Sequence, residues 1–293
     1  MARSAVGSYD LHMHSTFSDG SEGVLELVRR SWEAGLRGMA VTDHDSLAQL
    51  SAVRAAGRSF GLPVLAGVEV SAWNPGTGRK VHVLGFGLEA TPDASGPLER
   101  LVGRTLAART ANTLWQAWAI ARSGQVGREL SLDAVARVAR SSTGVYKQHV
   151  MEALCGLPYT DPDYQRLYRS LFKGGGVAAR DISYPSAADA VRAIREQGGV
   201  AVLAHPAQLD SWSMVPELVG CGLEGIEAFH PDHDERDEAR ALEVAGEFGL
   251  FVTGGSDYHG RYGSPASVGE RFVTPDEAGE RVAALFSAER RLR

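Results

Sequence analysis

At 293 residues, 44% hydrophobic and 23% charged, the chain has material for a large core, arranged as one domain with an insertion or as two domains. A net charge of −6 and a pI near 5.9 exclude a general nucleic-acid binder held by a basic surface, so an anionic ligand needs a local site. With only Cys155 and Cys221, neither a disulfide framework nor a thiolate zinc site is expected. The sequence has no apolar run of signal-peptide or membrane-spanning length, so a cytoplasmic protein without a membrane partner is the expectation.

In chain order, short apolar runs bounded by turn residues predict strands at 9–14, 38–42, 63–70 and 80–86, then at 199–204, 225–229 and 250–254. Helical spacing of Leu, Val and Ala occupies 24–34, 47–59, 187–197, 234–248 and 276–286. This alternation reads as βα units around a parallel sheet, and seven strands favour a barrel over an open sheet. Between 97 and 180 the alternation stops. Helices are predicted there at 98–122, with Trp115 and Trp118 packing the helix, then at 132–139, 143–154 and 163–172. Gly174-Gly175-Gly176 ends the run as a hinge. The expected organisation is a first barrel part over 1–97, a helical insertion over 98–180 acting as a substrate cap, and a second barrel part over 181–293. The insertion holds ten Arg and two Lys against six Asp and Glu, net +6, leaving −12 on the rest. Those cations are either a solvated helical face or groups that close over a site and hold a phosphate.

Chemistry-bearing residues recur where predicted strands end. His12 and His14 alternate on one strand and so face one way. Glu69 closes the third strand and Asp257 the last, and with the two histidines they make one mixed nitrogen and oxygen site. His82 and His205 complete a second if Glu69 bridges, and Asp19, His44 and His259 make a third. Imidazole and carboxylate without thiolate suit two or three Mn, Fe or Zn ions. Asp43 and Asp45 flank His44 and are expected to orient its ring.

The motifs DLHMHSTFSDG, VTDHD, GVEVSA, KVHVLGFG, AHP and GSDYHG resemble the PHP (polymerase and histidinol phosphatase) family. The resemblance implies an α/β fold, a distorted (β/α)7 TIM-like barrel, here with a small helical insertion domain. It also implies metal ligation by His12, His14, Asp19, His44, Glu69, His82, His205, Asp257 and His259, all nine family positions being filled. The chain looks like the stand-alone phosphoesterase branch, whose relatives include a 3′,5′-nucleoside bisphosphate phosphatase, 5′-nucleotidase-like enzymes and a 5′-to-3′ exoribonuclease acting on short RNAs.

A metal-activated hydroxide attacking phosphorus needs no protein nucleophile. His205, Asp257 and His230 are the candidate catalytic residues, the first two doubling as ligands and His230 either touching substrate or packing. For the substrate, Lys147, Lys173, Arg180 and His230 are the candidates, with Arg104 and Arg109 in reserve, although Lys147 also fits an ordinary helix N-terminus. Tyr146, Tyr184, Trp73 and Phe229 either stack on a base or belong to the core. The expected activity is hydrolysis of a phosphate monoester of a small nucleotide or of the end of a short oligonucleotide. Sugar-phosphate or histidinol-phosphate hydrolysis is the alternative, with a non-phosphate amidohydrolase or a degenerate partner-binding module behind it. The substrate is expected to be small and phosphorylated, or a short RNA, and no stable protein partner is expected.

Overall fold

The computed structural model describes residues 4–126, 130–264 and 266–291. Seven strands bond in chain order: β1 (Tyr9–Asp10), β2 (Gly38–Val41), β3 (Val64–Trp73), β4 (Lys80–Phe86), β5 (Val200–Leu203), β6 (Leu223–Phe229) and β7 (Phe251–Gly254). The two ends of this sheet approach each other, because the Leu11 N–H donates to the Gly254 carbonyl at 3.0 Å and Met13 bridges Tyr258. A nearly closed seven-stranded barrel results. Most of β2, β3 and β5 is buried on both faces, as barrel strands covered by helices must be.

Two strands differ from the sequence expectation. The strand predicted over 9–14 is regular only at Tyr9–Asp10. The Asp10 carboxylate instead accepts the N–H groups of Ser256 at 3.0 Å and Gly269 at 2.8 Å, tying the extended chain to the β7 side by single bonds. Close packing there demands small residues: a side chain at Gly255 would strike His12, and one at Gly20 would strike the His14 carbonyl. The second correction concerns β4, which runs antiparallel to both β3 and β5, so the sheet is not purely parallel. Residues 74–79 are too few for a parallel crossover, which takes about a dozen or more. The reversal places the first half of β4 at the C-terminal end of its neighbours, with His82 paired to Ser71.

Helices α1 (Val24–Glu33) and α2 (Leu50–Phe60) follow β1 and β2. On α1 the residues Val24, Leu27, Val28 and Ser31 are buried, one stripe of an amphipathic helix. The insertion comprises α3 (Pro97–Ser123), α4 (Leu132–Val138), α5 (Lys147–Leu154) and α6 (Pro162–Phe172). The chain then returns through α7 (Ala187–Glu196), a short α8 (Val215–Gly220) that periodicity does not announce, α9 (Glu235–Phe248) and α10 (Pro275–Glu289). Two apolar clusters form. One fills and surrounds the barrel, and the other joins Ala117, Ile120, Val135, Met151, Leu154 and Phe172 within the insertion. Helix α3 serves both, since Leu98, Leu101 and Val102 lie in the barrel cluster.

Trp115 and Trp118 do not pack the insertion helix as expected. They are 36% and 47% exposed, because α3 buries the opposite face through Asn112, Thr113, Gln116 and Ala117. Arg180 and Arg122 lie over their rings. Gly174 to Gly176 form a tight turn at the end of α6, where the Ala178 N–H returns to the Leu171 carbonyl at 2.9 Å. The insertion is clipped onto the loop after β1, with the Thr143 N–H on the Phe17 carbonyl at 2.9 Å and Ser142 Oγ on the Ser18 carbonyl at 2.8 Å.

Candidate metal centre

All nine residues expected to ligate metal converge at one end of the barrel, around the Glu69 carboxylate. Its Oε2 lies 3.2 Å from His12 Nε2, 3.1 Å from His14 Nε2 and 3.2 Å from His44 Nδ1. Its Oε1 lies 2.7 Å from His82 Nδ1 and 2.9 Å from His205 Nε2. Asp257 Oδ1 lies 3.1 Å from His14 Nε2 and 3.4 Å from His12 Nε2, and His259 Nε2 is 3.5 Å from Asp19 Oδ1. Burial acts against ionisation of Glu69, yet His44, His82 and His12 hold its carboxyl well below the usual carboxylate range. Asp257 is likewise held low, against burial, by His12 and His259.

The residues fit divalent ions. Buried His12 Nε2, His14 Nδ1 and Nε2, Asp19 Oδ1, His44 Nδ1, Glu69 Oε2 and His205 Nδ1 have no hydrogen-bond partner, a condition that buried polar atoms avoid unless something else satisfies them. Overlapping sets with mutually close donor atoms are His12, His14, Glu69 and Asp257; His14, Asp19, His44 and His259; and His44, Glu69 and His82. His205 and Asp257 hold their positions with left-handed backbone, φ 24° and 48°, a strain characteristic of functional sites.

Asp43 and Asp45 do not orient the His44 ring. Asp43 accepts from Ser15 N–H at 2.8 Å, Ser15 Oγ at 2.7 Å and Ser18 Oγ at 2.6 Å, which shapes the loop that carries Asp19. Asp45 accepts from Arg109 Nη2 and from the Ser71 N–H. Sequence reasoning also missed Glu227, whose oxygens lie 3.1 and 3.2 Å from His12 Nδ1, and Gln148, which donates to Asp19 Oδ2 at 2.9 Å. Tyr146 OH donates to the His44 carbonyl at 2.8 Å.

A cleft of about 230 Å³ opens over the centre, lined by Asp19, His44, Glu69, His205, His230 and Asp257 among others. His230 Nδ1 accepts the Asp232 N–H at 3.1 Å, and Nε2 faces Asp257 Oδ2 at 3.4 Å. Lys147 and Arg109 line an adjoining cavity with Tyr146 and Tyr184. Lys173 and Arg180 line neither: both are exposed, lying over the rings of Tyr168 and Trp115. Arg104 lines a separate groove, Trp73 is 37% exposed and Phe229 is buried. A larger cavity elsewhere, of about 340 Å³ beside Arg54 and Glu289, holds none of the site residues.

A barrel whose strand ends present a buried carboxylate ringed by imidazoles defines a metal-dependent hydrolase. The PHP domain model matches residues 10–117. Over 262 residues the chain is 48% identical to a phosphoribosyl 1,2-cyclic phosphate 1,2-diphosphodiesterase of Eggerthella lenta, covering 89% of this chain and 98% of the relative. It is 29% identical to a 3′,5′-nucleoside bisphosphate phosphatase of Chromobacterium violaceum, over 87% of this chain and 88% of that one. A solved structure from Bifidobacterium adolescentis, described as a metal-dependent phosphoesterase, superposes with a TM-score of 0.81 at 26% identity, covering 96% of each chain. The chain belongs to the PHP domain family and is a metal-dependent phosphoesterase. Among the described residues no helix is long and apolar enough to cross a membrane.

Proposed function

We propose that the chain hydrolyses a small ribose phosphate ester, phosphoribosyl 1,2-cyclic phosphate first among the candidates. The observation that carries this reading is 48% identity to a phosphodiesterase of that specificity along 98% of its length. A cleft of about 230 Å³ suits a compact anion better than a long strand, whose binding favours an extended basic track.

In this reading His12, His14, Asp19, His44, Glu69, His82, His205, Asp257 and His259 hold two or three divalent ions, Mn, Fe or Zn by the donor set. Such ions polarise phosphoryl oxygens and make hydroxide available near neutral pH. Glu69 presents one oxygen to His12, His14 and His44 and the other to His82 and His205, which suits a carboxylate shared between two sites. Because His230 Nδ1 accepts a backbone N–H, the neutral ring carries its proton on Nε2, beside Asp257 in the cleft. Hydrolysis of the cyclic ester joins a hydroxide oxygen to phosphorus and breaks one bond from phosphorus to a ribosyl oxygen. The leaving oxygen takes a proton from solvent water, and the N–H on His230 Nε2 is placed to hydrogen-bond that oxygen as its charge develops.

A second reading, hydrolysis of a 3′,5′-nucleoside bisphosphate, is favoured by the 29% identical phosphatase. Phosphate release and product analysis on metal-loaded protein separate them, using phosphoribosyl 1,2-cyclic phosphate, adenosine 3′,5′-bisphosphate, histidinol phosphate and an aryl phosphate. The proposal expects the highest kcat/KM for the cyclic ester; a higher value for the bisphosphate overturns it in favour of the second reading.

A further inference from the structure

Beside the metal-facing cleft lies a second lobe of about 190 Å³. The two share Asp19, His44, His82 and Gln148 along their common rim, so one molecule can extend from one into the other. Three cations line the second lobe: Lys80 from β4, Arg109 from α3 and Lys147 from the first turn of α5. Two are already answered. Arg109 Nη2 donates to Asp45 Oδ2 and Ser71 Oγ, both at 2.7 Å, and Lys80 Nζ lies 2.8 Å from Asp181 Oδ2.

Lys147 forms no ion pair among the described residues; its ammonium lies 5.7 Å from the Phe172 ring centroid. A half-buried ammonium with no ion pair is costly unless an anion joins it. Burial, with help from Lys80, Lys173 and Arg109 and against Asp181, pushes the Lys147 ammonium down to about 8.

The lobe is smaller than the roughly 300–1,000 Å³ of pockets for drug-sized ligands. Its aromatic rings are engaged as well. Arg109 lies 5.1 Å from the Tyr146 centroid and 5.6 Å from that of Tyr184, Lys80 lies 5.0 Å from Tyr184, and Lys173 lies 5.9 Å from Tyr168. Ring faces already carrying cations are not free to stack on a base, whereas an ammonium without an ion pair in a small polar lobe matches a phosphate group.

We infer that this lobe binds a second phosphate of the substrate, a phosphomonoester distant from the ester being hydrolysed, through the Lys147 ammonium. The inference rests on the preceding reading of a ribose substrate that carries a phosphate besides its cyclic ester. It makes the lobe the determinant that separates doubly phosphorylated sugars from simple phosphate esters.

The test uses full-length metal-loaded protein, wild type against Lys147→Ala and Lys147→Arg. A charge-assisted contact is worth about 1.5–3 kcal/mol, roughly 10- to 100-fold in affinity. The alanine variant is therefore expected to raise KM for phosphoribosyl 1,2-cyclic phosphate by about 10- to 100-fold, at least ten times its effect on KM for 4-nitrophenyl phosphate, with arginine restoring most of the loss. Equal effects on both substrates overturn the inference. If the cyclic ester is not hydrolysed at all, the substrate reading fails separately, and calorimetric binding of ribose 5-phosphate decides about the lobe. Binding at least tenfold weaker in Lys147→Ala supports it, and unchanged binding overturns it.

Discussion

Glu227 grips His12 on the side of the ring turned away from Glu69. Both carboxylate oxygens lie within 3.2 Å of His12 Nδ1, and Oε2 also accepts the His205 N–H at 2.9 Å. His12 Nε2 is thereby aimed at Glu69 and Asp257. One buried carboxylate thus orients two members of the metal centre.

Replacing that carboxylate separates orientation from packing. Glu227→Gln should weaken metal affinity by about 10- to 100-fold, the usual effect of losing a partner behind a ligating histidine, while the circular dichroism spectrum stays native. Titration of the chelator-treated protein with Mn or Zn checks this. Unchanged affinity would mean that Glu227 only fills space.

Glu69 faces five imidazoles, so its loss should be felt at more than one metal position. Glu69→Ala is expected to bind fewer ions per chain than wild type, measured by elemental analysis. Its kcat/KM should fall by about 10³ or more, corresponding to roughly 4 kcal/mol of transition-state stabilisation. Loss of activity at undiminished metal content would contradict a bridging role.

The insertion is fastened to the barrel by the Arg109 and Asp45 pair, 18% exposed on the arginine side and fully buried on the aspartate side. Arg109→Met leaves Asp45 buried without its cation and should cost about 3–5 kcal/mol of stability, read from urea denaturation. Adding Asp45→Asn should recover part of that loss, since the stranded charge is gone. If the double variant loses the sum of the two single losses, the residues are not coupled.

Lys147 gives a pH signature. Its ammonium titrates near 8, well below an ordinary lysine, so it is charged below that pH and loses its charge as pH rises through it. KM for a doubly phosphorylated substrate should therefore climb as pH rises above about 8. The cavity around it also holds Lys80, Arg109, Asp181, Asp19, His44, His82, Tyr146, Tyr168 and Tyr184, and Lys173 adds to its field. Lys147→Arg, which stays charged, isolates the effect of Lys147: the climb should vanish in that variant. A climb that persists would assign the pH dependence to another group.

Much of the centre was legible because strands impose a period of two. His12 and His14 had to share a face, and the remaining histidines and acids sat beside strand ends, where barrel sites are built. Glu227 was legible too, though overlooked: a carboxylate between the buried Ile226 and Ala228 needs a partner, and a histidine is a common one. The reversal of β4 was written in the six residues from 74 to 79, too short for a crossover, but the apolar run itself carries no sign of direction.

Contacts across long sequence separation were not legible. Nothing near Arg109 announces Asp45, sixty-four residues away, and nothing near Lys173 or Arg180 says that they lie over aromatic rings outside both cavities. The basic excess of the insertion was visible; which of its cations face the centre depends on how α3 and α5 pack, and only the fold decides that.

The central claim is that a carboxylate-bridged metal cluster hydrolyses a phosphate ester. It is tested most directly by stripping the purified protein with chelator and restoring Mn stepwise, while phosphate-ester hydrolysis and bound metal per chain are followed together. The account predicts no hydrolysis in the stripped protein and activity that rises with occupancy toward two or more ions per chain. Full hydrolysis by the metal-free protein, or protein that binds no metal at all, would contradict it.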